Sequence, residues 1–375
     1  MTDGHLDLVV VGGGVLGLTT AVIAKLDNPE WAIKVVERDQ VGRGATGYTA
    51  GLSFPVARDT WQASLVRDGE AGYRRLVAEL PDLPVRDIEV LWAVDRNRLP
   101  EFTSRLVGAP PRPASEAEID ALRDAYPDFK IRSDEEVMTT DERCFHVDGR
   151  GFAQRLARWL RAADPGSILE GVEAARTRRQ DDGWDVVLGD GGVLRAPRVV
   201  VAVGPWRSEG LEPGSAGVPP IRVKKVAALH LAHRPRPGAP ALVLWDDDAF
   251  VLPLEEQGFS LFSYTNLTWD VDPDRRLALT ADETADAIAV LEPRSRTLAA
   301  SLAGSRVFCD GYTEDRVPSL RYADGLVAIG GCSGSGVRLA PGLAVAALER
   351  LLNESDDRAG SPEPVAHEKG TEDDK

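Results

Sequence analysis

The pattern of apolar and polar positions predicts a buried parallel strand near the start of the chain, followed by a helix. Residues 6–11 form a nearly continuous β-branched run that ends at glycine, and residues 18–26 form an apolar helical segment. A second apolar run, residues 32–36, predicts the next strand. A strand, a tight turn, a helix and a second strand in this order are typical of an α/β fold with a parallel sheet.

The middle of the chain has a different periodicity. Apolar and polar residues alternate with period two in four runs, which predict an antiparallel sheet: residues 225–231, 241–245, 250–254 and 259–264. Residues 86–145 are strand-like and then helical, with prolines marking a loop. We predict that residues 86–145 and 221–303 together form one inserted α+β domain.

The turn after the first strand has the spacing G-x-G-x-x-G. Gly12 permits the tight turn, Gly14 lets the backbone approach a pyrophosphate, and Gly17 lets the helix pack on the strand. The start of the helix, at Val15 and Leu16, offers free N–H groups and a positive dipole end to phosphates. The sequence therefore predicts a dinucleotide site, and the alternative is a glycine-rich turn that binds nothing.

Charge and composition exclude several classes of protein. Sixty acidic residues against 44 basic ones give a net charge of −16, which disfavours nucleic acid and anionic membrane surfaces as partners. The three cysteines have no paired spacing, the histidines show no metal-ligand spacing with them, and no Gly-x-Ser-x-Gly elbow indicates a hydrolase. No apolar stretch of about 20 residues predicts a membrane span. We expect a soluble, cytoplasmic protein without a metal, and a disordered acidic tail over residues 353–375.

A second loop of small residues follows the second strand. Glu37 ends that strand and is placed to accept hydrogen bonds from ribose hydroxyls. Residues 42–51 then suggest a loop that follows an extended ligand. The whole arrangement resembles the D-amino-acid oxidase-like flavoprotein superfamily, in the branch of glycine oxidase and sarcosine oxidase, whose second loop reads G-A-S/T-G-x-x-A/S-G. The resemblance implies FAD rather than NAD, and it adds cofactor-binding candidates: Arg38, Thr46, Thr49, Ala50 and Gly51.

Four further blocks extend the resemblance over residues 5–352. Residues 148–152 resemble an aspartate-glycine turn that leads into a helix, and residues 168–174 resemble the strand whose Val172 backbone meets the adenine. Residues 198–206 resemble an A-x-G-x-W element. The closing motif G-x-S-G-x-G-x-x-x-A/S-P is matched before a helix predicted over residues 343–352, although such a turn also occurs in other α/β folds. The cofactor contacts implied by the last two blocks are Gly204, Trp206, Gly334, Ser335, Gly336, Val337 and Arg338.

The resemblance also implies the domain organisation. It corresponds to an α/β fold with a Rossmann-like FAD-binding domain of the GR2 type, formed by residues 1–85, 146–220 and 304–352. The inserted segments, residues 86–145 and 221–303, correspond to a substrate domain whose antiparallel sheet covers the flavin.

Candidate substrate contacts follow from the same resemblance. Arg338 matches a carboxylate-binding lysine of the sarcosine-oxidase branch, and its guanidinium fork suits a carboxylate. The alternative for Arg338 is an ion pair with a surface acid such as Asp315. Arg58 lies near another basic residue of that branch. Tyr264 and Tyr312 are candidate active-site hydroxyls, or ordinary core or surface tyrosines.

The chain departs from the family pattern at three positions. Thr313 stands where many relatives have a carboxylate-binding arginine. Three alternatives follow from this difference: Arg338 holds the carboxylate, Arg316 replaces the missing arginine, or the substrate is not a simple amino acid. Phe262 stands where the sarcosine-oxidase branch has a lysine that promotes reaction with oxygen. Cys309 lies near the site of a covalent flavin link, but one residue farther from the tyrosine, so covalent attachment is a secondary hypothesis.

We therefore expect an FAD-dependent oxidase of a small amine or amino acid. In such an enzyme a hydride passes from the α-carbon to the flavin, an imine forms, and O2 reoxidises the flavin with release of H2O2. Because Phe262 stands in place of the lysine that promotes reaction with oxygen, the alternative is a dehydrogenase that uses another electron acceptor. A third possibility is a flavin-binding partner protein without turnover. The sequence leaves the oligomeric state open.

Overall fold

A computed structural model describes residues 5–126, 128–206, 210–211 and 220–353. The tail expected over residues 353–375 lies outside these ranges, apart from Asn353. No helix in the described ranges is long and apolar enough to cross a membrane.

The secondary structure alternates between short strands and longer helices. The helices are α1 (Val15–Asp27), α2 (Thr60–Glu79), α3 (Leu99–Arg105), α4 (Glu116–Ala125), α5 (Gly149–Ala163), α6 (Ala281–Leu291), α7 (Arg296–Ala300) and α8 (Gly336–Leu352). The strands are β1 (Leu8–Val11), β2 (Ile33–Glu37), β3 (Leu52–Ser53), β4 (Val85–Asp87), β5 (Val90–Asp95), β6 (Arg112–Pro113), β7 (Glu135–Thr139), β8 (Phe145–Val147), β9 (Ile168–Glu170), β10 (Ala174–Gln180), β11 (Gly183–Leu188), β12 (Val193–Ala196), β13 (Arg198–Val201), β14 (Arg222–Leu231), β15 (Ala241–Leu244), β16 (Ala249–Leu254), β17 (Phe259–Tyr264), β18 (Leu302–Tyr312), β19 (Ser319–Ala323) and β20 (Leu326–Gly330).

The first large sheet has the order β19-β20-β13-β1-β2-β9 and is parallel except for β19 at its edge. Helices α1, α2, α5 and α8 bury their apolar residues in the core on one face of this sheet. The antiparallel strands β10, β11 and β12 cover the other face. The expected α/β architecture is confirmed, because the β-branched runs that predicted β1 and β2 are buried at its centre.

The second large sheet has the order β18-β14-β17-β16-β15-β5-β7-β6. Helices α4, α6 and α7 cover one of its faces, here called the helix-covered face, and the opposite face is here called the cleft face. The expectation of an antiparallel sheet holds for most pairs but is wrong for β5 and β15, which run parallel. Parallel neighbours need a long connection, and the chain between residues 95 and 241 supplies it.

One boundary of the expected domains also differs from the structure. Strand β18 was assigned to the FAD-binding part from residue 304 onward, yet it pairs with β14 in the second sheet. The two strands pair over almost their whole length, and this pairing accounts for the placement because it provides hydrogen-bond partners for the backbone groups of β18. The division into an FAD-binding and a substrate domain remains our proposal, with the last boundary moved beyond β18.

Helix α8 begins at Gly336, seven residues before the predicted start at residue 343, and it contains Pro341. A proline has no N–H, so the carbonyl of Val337 lacks its helical partner. The hydroxyl of Tyr73, on α2, donates to that carbonyl at 2.6 Å. This contact explains how the helix continues through Pro341, which the sequence pattern places before the helix.

Candidate active site

A cleft of about 1720 Å3 lies between the carboxyl ends of the parallel strands and the cleft face of the second sheet. Drug-sized ligands occupy pockets of roughly 300–1,000 Å3, so this cleft has room for a dinucleotide and a second molecule. Most of the residues predicted from the sequence line it: Gly12, Gly14, Val15, Leu16, Glu37, Arg38, Thr46, Thr49, Ala50, Gly51, Arg58, Gly204, Trp206, Tyr264, Cys309, Tyr312, Gly334, Ser335, Gly336, Val337 and Arg338. Gly17 and Val172 do not line it.

The three motif glycines have separate surroundings. A Cβ on Gly12 would lie 2.4 Å from the carbonyl oxygen of Ala202, and one on Gly17 would lie 2.0 Å from the carbonyl oxygen of Gly12. Those two glycines therefore allow close packing of the turn. A Cβ on Gly14 would meet only the Thr46 hydroxyl oxygen, at 3.2 Å, and would otherwise project into open space. Gly14 thus has the surroundings expected where a cofactor approaches the backbone.

The start of α1 joins the two small-residue loops. The N–H of Val15 donates to the Thr46 hydroxyl oxygen at 2.9 Å. Thr46 is buried and belongs to a short 3-10 turn, residues 45–47. An anion is favoured at this position, because the first N–H groups of a helix and its positive dipole end lie here. These residues fit the pyrophosphate of a dinucleotide.

Glu37 lies at the end of β2, where the ribose of the adenosine half is expected. Its carboxylate accepts hydrogen bonds from the N–H groups of Gly13, at 2.8 Å, and Asp39, at 2.9 Å. Burial raises the pKa of Glu37, and these two hydrogen bonds oppose that rise. The next residue, Arg38, lies over the ring of Trp206 at 4.7 Å, so both predicted residues meet at this end of the cleft.

Val172 lies beside the end of β2, and the adenine contact implied for its backbone stays a prediction. Strand β9 ends at Glu170, and the N–H of Val172 donates to the carbonyl of Glu37 at 3.0 Å. Its side chain packs against the core under the first sheet. The neighbouring residues 173–175 line the cleft instead. Val172 therefore supports the end of β2 from outside the cleft.

Asp310, which the sequence analysis missed, contacts the C-terminal glycine loop. Its carboxylate accepts N–H hydrogen bonds from Gly334, at 3.0 Å, and Gly311, at 2.8 Å. Burial raises the pKa of Asp310 to about 6, although the two hydrogen bonds lower it. The sequence pattern does not single out Asp310, because it is one acidic residue within a strand, directly after Cys309. Its position in the cleft follows only from the pairing of β18 with β14.

Arg338 lies at the start of α8 and faces the cleft. Its guanidinium donates to the carbonyls of Phe54 and Val56 and to the Ser335 hydroxyl. An ion pair with Asp315 is not formed, since that carboxylate accepts the N–H of Val317. A guanidinium has five N–H donors, so two remain for a ligand among the described contacts. Burial and the nearby charge of Arg58 lower the pKa of Arg338 to about 10.

Arg58 is exposed to the cleft and has no carboxylate or hydrogen-bond partner for its guanidinium among the described residues. Burial of part of its surface and the charges of Arg316 and Arg105 lower its pKa. Arg316 lines the same region, 3.4 Å from Asp248. Thr313 is turned away and donates to the carbonyl of Val317 at 2.7 Å. The structure therefore brings Arg58 and Arg316, but not Thr313, to the cleft.

Strand β17 carries two candidate side chains on the face opposite to the one that the resemblance implied, and for Tyr264 this favours the alternative of a core tyrosine. Phe262 and Tyr264 pair with Leu229 and Ala227 and point to the helix-covered face. Phe262 is fully buried there, and the Tyr264 hydroxyl donates to the carbonyl of Glu283 at 2.7 Å. Phe262 therefore does not stand over a flavin. Tyr264 borders the cleft but has its hydroxyl committed elsewhere.

Lys224, a second residue that the sequence analysis missed, points to the cleft face of β14. Its ammonium lies 5.2 Å from the ring of Trp269 and 5.0 Å from the ring of Tyr312. Burial lowers the pKa of Lys224, and the charge of Arg316 adds to this effect. No described residue accepts a hydrogen bond from its ammonium. Two adjacent lysines in a largely apolar strand were a usable signal, because alternation puts one of them on each face.

Cys309 pairs with Lys225, whose ammonium bonds Glu283 on α6. The thiol therefore belongs to the helix-covered side of β18, whereas Asp310 belongs to the other side. Burial raises the pKa of Cys309 to about 11, and the nearby charge of Asp310 adds to it. A thiol of this kind is a poor nucleophile at neutral pH. The geometry gives the covalent link no support.

The comparisons with known proteins identify the family of the chain. The model of the FAD-dependent oxidoreductase family DAO matches residues 7–350. The chain belongs to this family. It is therefore an FAD-dependent oxidoreductase, and the residues around Gly14, Thr46 and Glu37 are those that would hold the FAD. A search of curated protein sequences finds no match.

Solved structures similar to this member of the family share its fold at low sequence identity. Glycine oxidase from Geobacillus kaustophilus has a TM-score of 0.75 at 18% identity, covering 93% of this chain and 95% of its own. L-Proline dehydrogenase from P. horikoshii has a TM-score of 0.77 at 17% identity, with coverage of 94% and 95%. Iminodiacetate oxidase from Chelativorans sp. BNC1 has a TM-score of 0.74 at 19% identity, with coverage of 92% and 95%.

Proposed function

We propose that this flavoprotein oxidises a small carboxylated amine or amino acid and uses O2 as its electron acceptor. The observation that carries the proposal is the group of cationic side chains at the end of the cleft next to the C-terminal glycine loop. Arg58, Arg338 and Lys224 have no carboxylate partners among the described residues. The similar structures named above include two oxidases and one dehydrogenase, and all three are named for amino acids or related amines.

The cofactor would lie along the cleft from Glu37 to the start of α8. Glu37 would hold the ribose, and Gly14 with the N-terminus of α1 would hold the pyrophosphate. The free N–H groups at the start of α8 would face the far end of the cofactor and favour negative charge there. Bound FAD would supply the two-electron acceptor for the α-hydrogen of the amine, which would leave as the imine, and electron transfer to O2 would give H2O2.

The chain's own residues would orient the substrate. Arg338 would bind the substrate carboxylate with its two remaining N–H donors, while the carbonyls of Phe54 and Val56 keep its guanidinium in place. Tyr312 would form a wall of the substrate site, since its ring lies on the cleft face beside Lys224. A fixed carboxylate limits the orientations of the α-carbon, which is the main requirement of a hydride transfer.

Lys224 favours the oxidase over the dehydrogenase. Phe262 had suggested a different electron acceptor, but it lies on the helix-covered face. Lys224 instead presents an ammonium to the cleft without a counter-ion. A cation in this position stabilises the negative charge that develops on O2 as it takes up electrons.

The test is to measure O2 consumption and H2O2 release by the FAD-loaded protein with a panel of amino acids and N-methyl amino acids. We expect one H2O2 for each O2 consumed. Lys224→Met should slow the O2 reaction roughly 100-fold and change the anaerobic reduction of the flavin much less. Lys225→Met is the control, because this lysine faces α6 and is paired with Glu283. Reduction of a dye without reaction with O2 would instead indicate a dehydrogenase.

A further inference from the structure

The substrate end of the cleft contains more positive than negative charge. Arg98, Arg105, Glu101 and Asp246 line the same cleft and balance one another in charge. Arg58, Arg316, Arg338 and Lys224 line it too, with the acids Asp248 and Asp310. Even with both acids ionised, two positive charges remain in excess. Buried or half-buried cations without counter-ions are costly, so this excess favours an anionic ligand with more than one charge.

The nearby acids are already engaged by other groups. Asp248 accepts a hydrogen bond from Thr265 at 2.5 Å and lies 3.4 Å from Arg316. Glu101 pairs with Arg98 at 2.7 Å and with Arg105 at 3.3 Å. Arg58 lies among these pairs and joins none of them. Its guanidinium therefore keeps its full donor fork for a ligand.

The cofactor does not account for this charge. The proposed pyrophosphate position is at Gly14 and Leu16, at the positive end of α1, where the N–H of Val15 is already donated to Thr46. Arg58 lies instead beside Arg105 of α3 and Arg316, in the region that also contains Arg338. One substrate carboxylate suits the two free donors of Arg338, which leaves Arg58 without an anion.

We infer that the natural substrate is a dicarboxylic amine or amino acid, and that Arg58 binds its second carboxylate. The inference rests on the proposed function, because it assumes that the substrate enters this cleft. It goes further by assigning the substrate two anionic groups and by making Arg58 the residue that selects for the second. A bidentate guanidinium–carboxylate contact gives both the affinity and the geometric selectivity for this role.

Binding can be tested without turnover. Titration calorimetry on the FAD-loaded protein, at physiological ionic strength, would compare succinate with butyrate and glutarate with valerate. We expect at least one dicarboxylate to bind about tenfold or more tightly than the monocarboxylate of equal length. Arg58→Ala should reduce this preference to about threefold or less and leave the binding of the monocarboxylate nearly unchanged. Arg58→Lys should retain part of the preference, because it keeps the charge but loses the fork.

Arg105→Ala is the matched control, since Arg105 also lines the cleft but is paired with Glu101. This variant should retain the dicarboxylate preference. Equal affinity for the two kinds of acid, no binding of either, or an equal loss of preference in both variants would overturn the inference. The flavin could be reduced by an amine while the dicarboxylates and monocarboxylates bind with equal affinity. That result would overturn this inference alone and leave the proposed function standing.

Discussion

Gly14 and Gly17 belong to one motif but meet different neighbours. A Cβ on Gly14 points toward the space where the cofactor is expected, whereas one on Gly17 collides with the backbone of Gly12. Gly14 has φ −81° as the residue before α1, a conformation that alanine also adopts. A substitution at Gly14 should therefore affect cofactor binding, whereas a substitution at Gly17 should affect the stability of the fold.

We expect Gly14→Ala to weaken FAD binding roughly tenfold, about 1.4 kcal/mol, and to leave the melting temperature of the FAD-free protein nearly unchanged. The reason is that the new methyl group occupies cofactor space and contacts only Thr46. FAD titration by fluorescence and a thermal melt of the apoprotein measure the two effects.

Gly17→Ala is the comparison for this variant. It should lower the stability of the apoprotein by about 1–3 kcal/mol, because the added methyl group overpacks the turn. Equal losses of stability in the two variants would show that Gly14 has a packing role only.

The glycine motifs were predictable at the residue scale, and the faces of the inserted strands were not. Each motif glycine has a fixed spacing and a local physical reason, so its neighbours follow from a few residues. Phe262, Tyr264 and Cys309 lie in strands, where a shift of one residue moves every side chain to the opposite face. The adjacent lysines of β14 indicate that one of them reaches each face, but the sequence does not determine whether it is Lys224 or Lys225 that faces the cleft.

Helices α2 and α8 pack closely through small residues. A Cβ on Gly72 would lie 2.4 Å from the Cβ of Pro341, and one on Gly342 would lie 2.4 Å from the carbonyl oxygen of Leu65. The Tyr73 hydroxyl donates to the carbonyl of Val337 in the same contact. Helix α2 thus supports the first turn of α8, which carries Arg338.

Tyr73→Phe should destabilise the protein by about 1–2 kcal/mol, because it leaves a buried carbonyl without a donor. Tyr48→Phe is the matched control, since Tyr48 is partly exposed and its ring only stacks on Phe308. It should change the free energy of unfolding by less than about 0.5 kcal/mol. Denaturant unfolding of both variants measures the difference, and equal effects would contradict the role given to Tyr73.

The elements of the first sheet could be predicted from the sequence better than those that join it to the second. The short strands β1 and β2 and helix α5 follow from their apolar patterns. The start of α8 does not, because a proline normally marks a helix boundary and the compensating hydroxyl lies on another helix. The placement of β18 likewise depends on a partner strand some 80 residues away in the sequence.

At the scale of the whole molecule, the proposed active site lies where the two sheets meet. The first sheet and its loops contribute the proposed cofactor residues to the cleft, and the second sheet contributes Lys224, Asp310 and Tyr312. Arg306 of β18 connects the two by donating to the carbonyl of Thr49, at 3.2 Å, in the second small-residue loop. Binding of the cofactor and binding of the substrate therefore depend on the same interface.

The central claim is that this cleft oxidises a carboxylated amine on its FAD. Its most direct test is the loss of visible flavin absorbance when the FAD-loaded protein is mixed without oxygen with a panel of amino acids, N-methyl amino acids and amino dicarboxylic acids. We predict bleaching by at least one carboxylated amine, and a roughly 100-fold slower reaction in Arg338→Ala, because the substrate loses its carboxylate anchor. Bleaching by no member of the panel, or bleaching that is as fast in Arg338→Ala, would contradict this account.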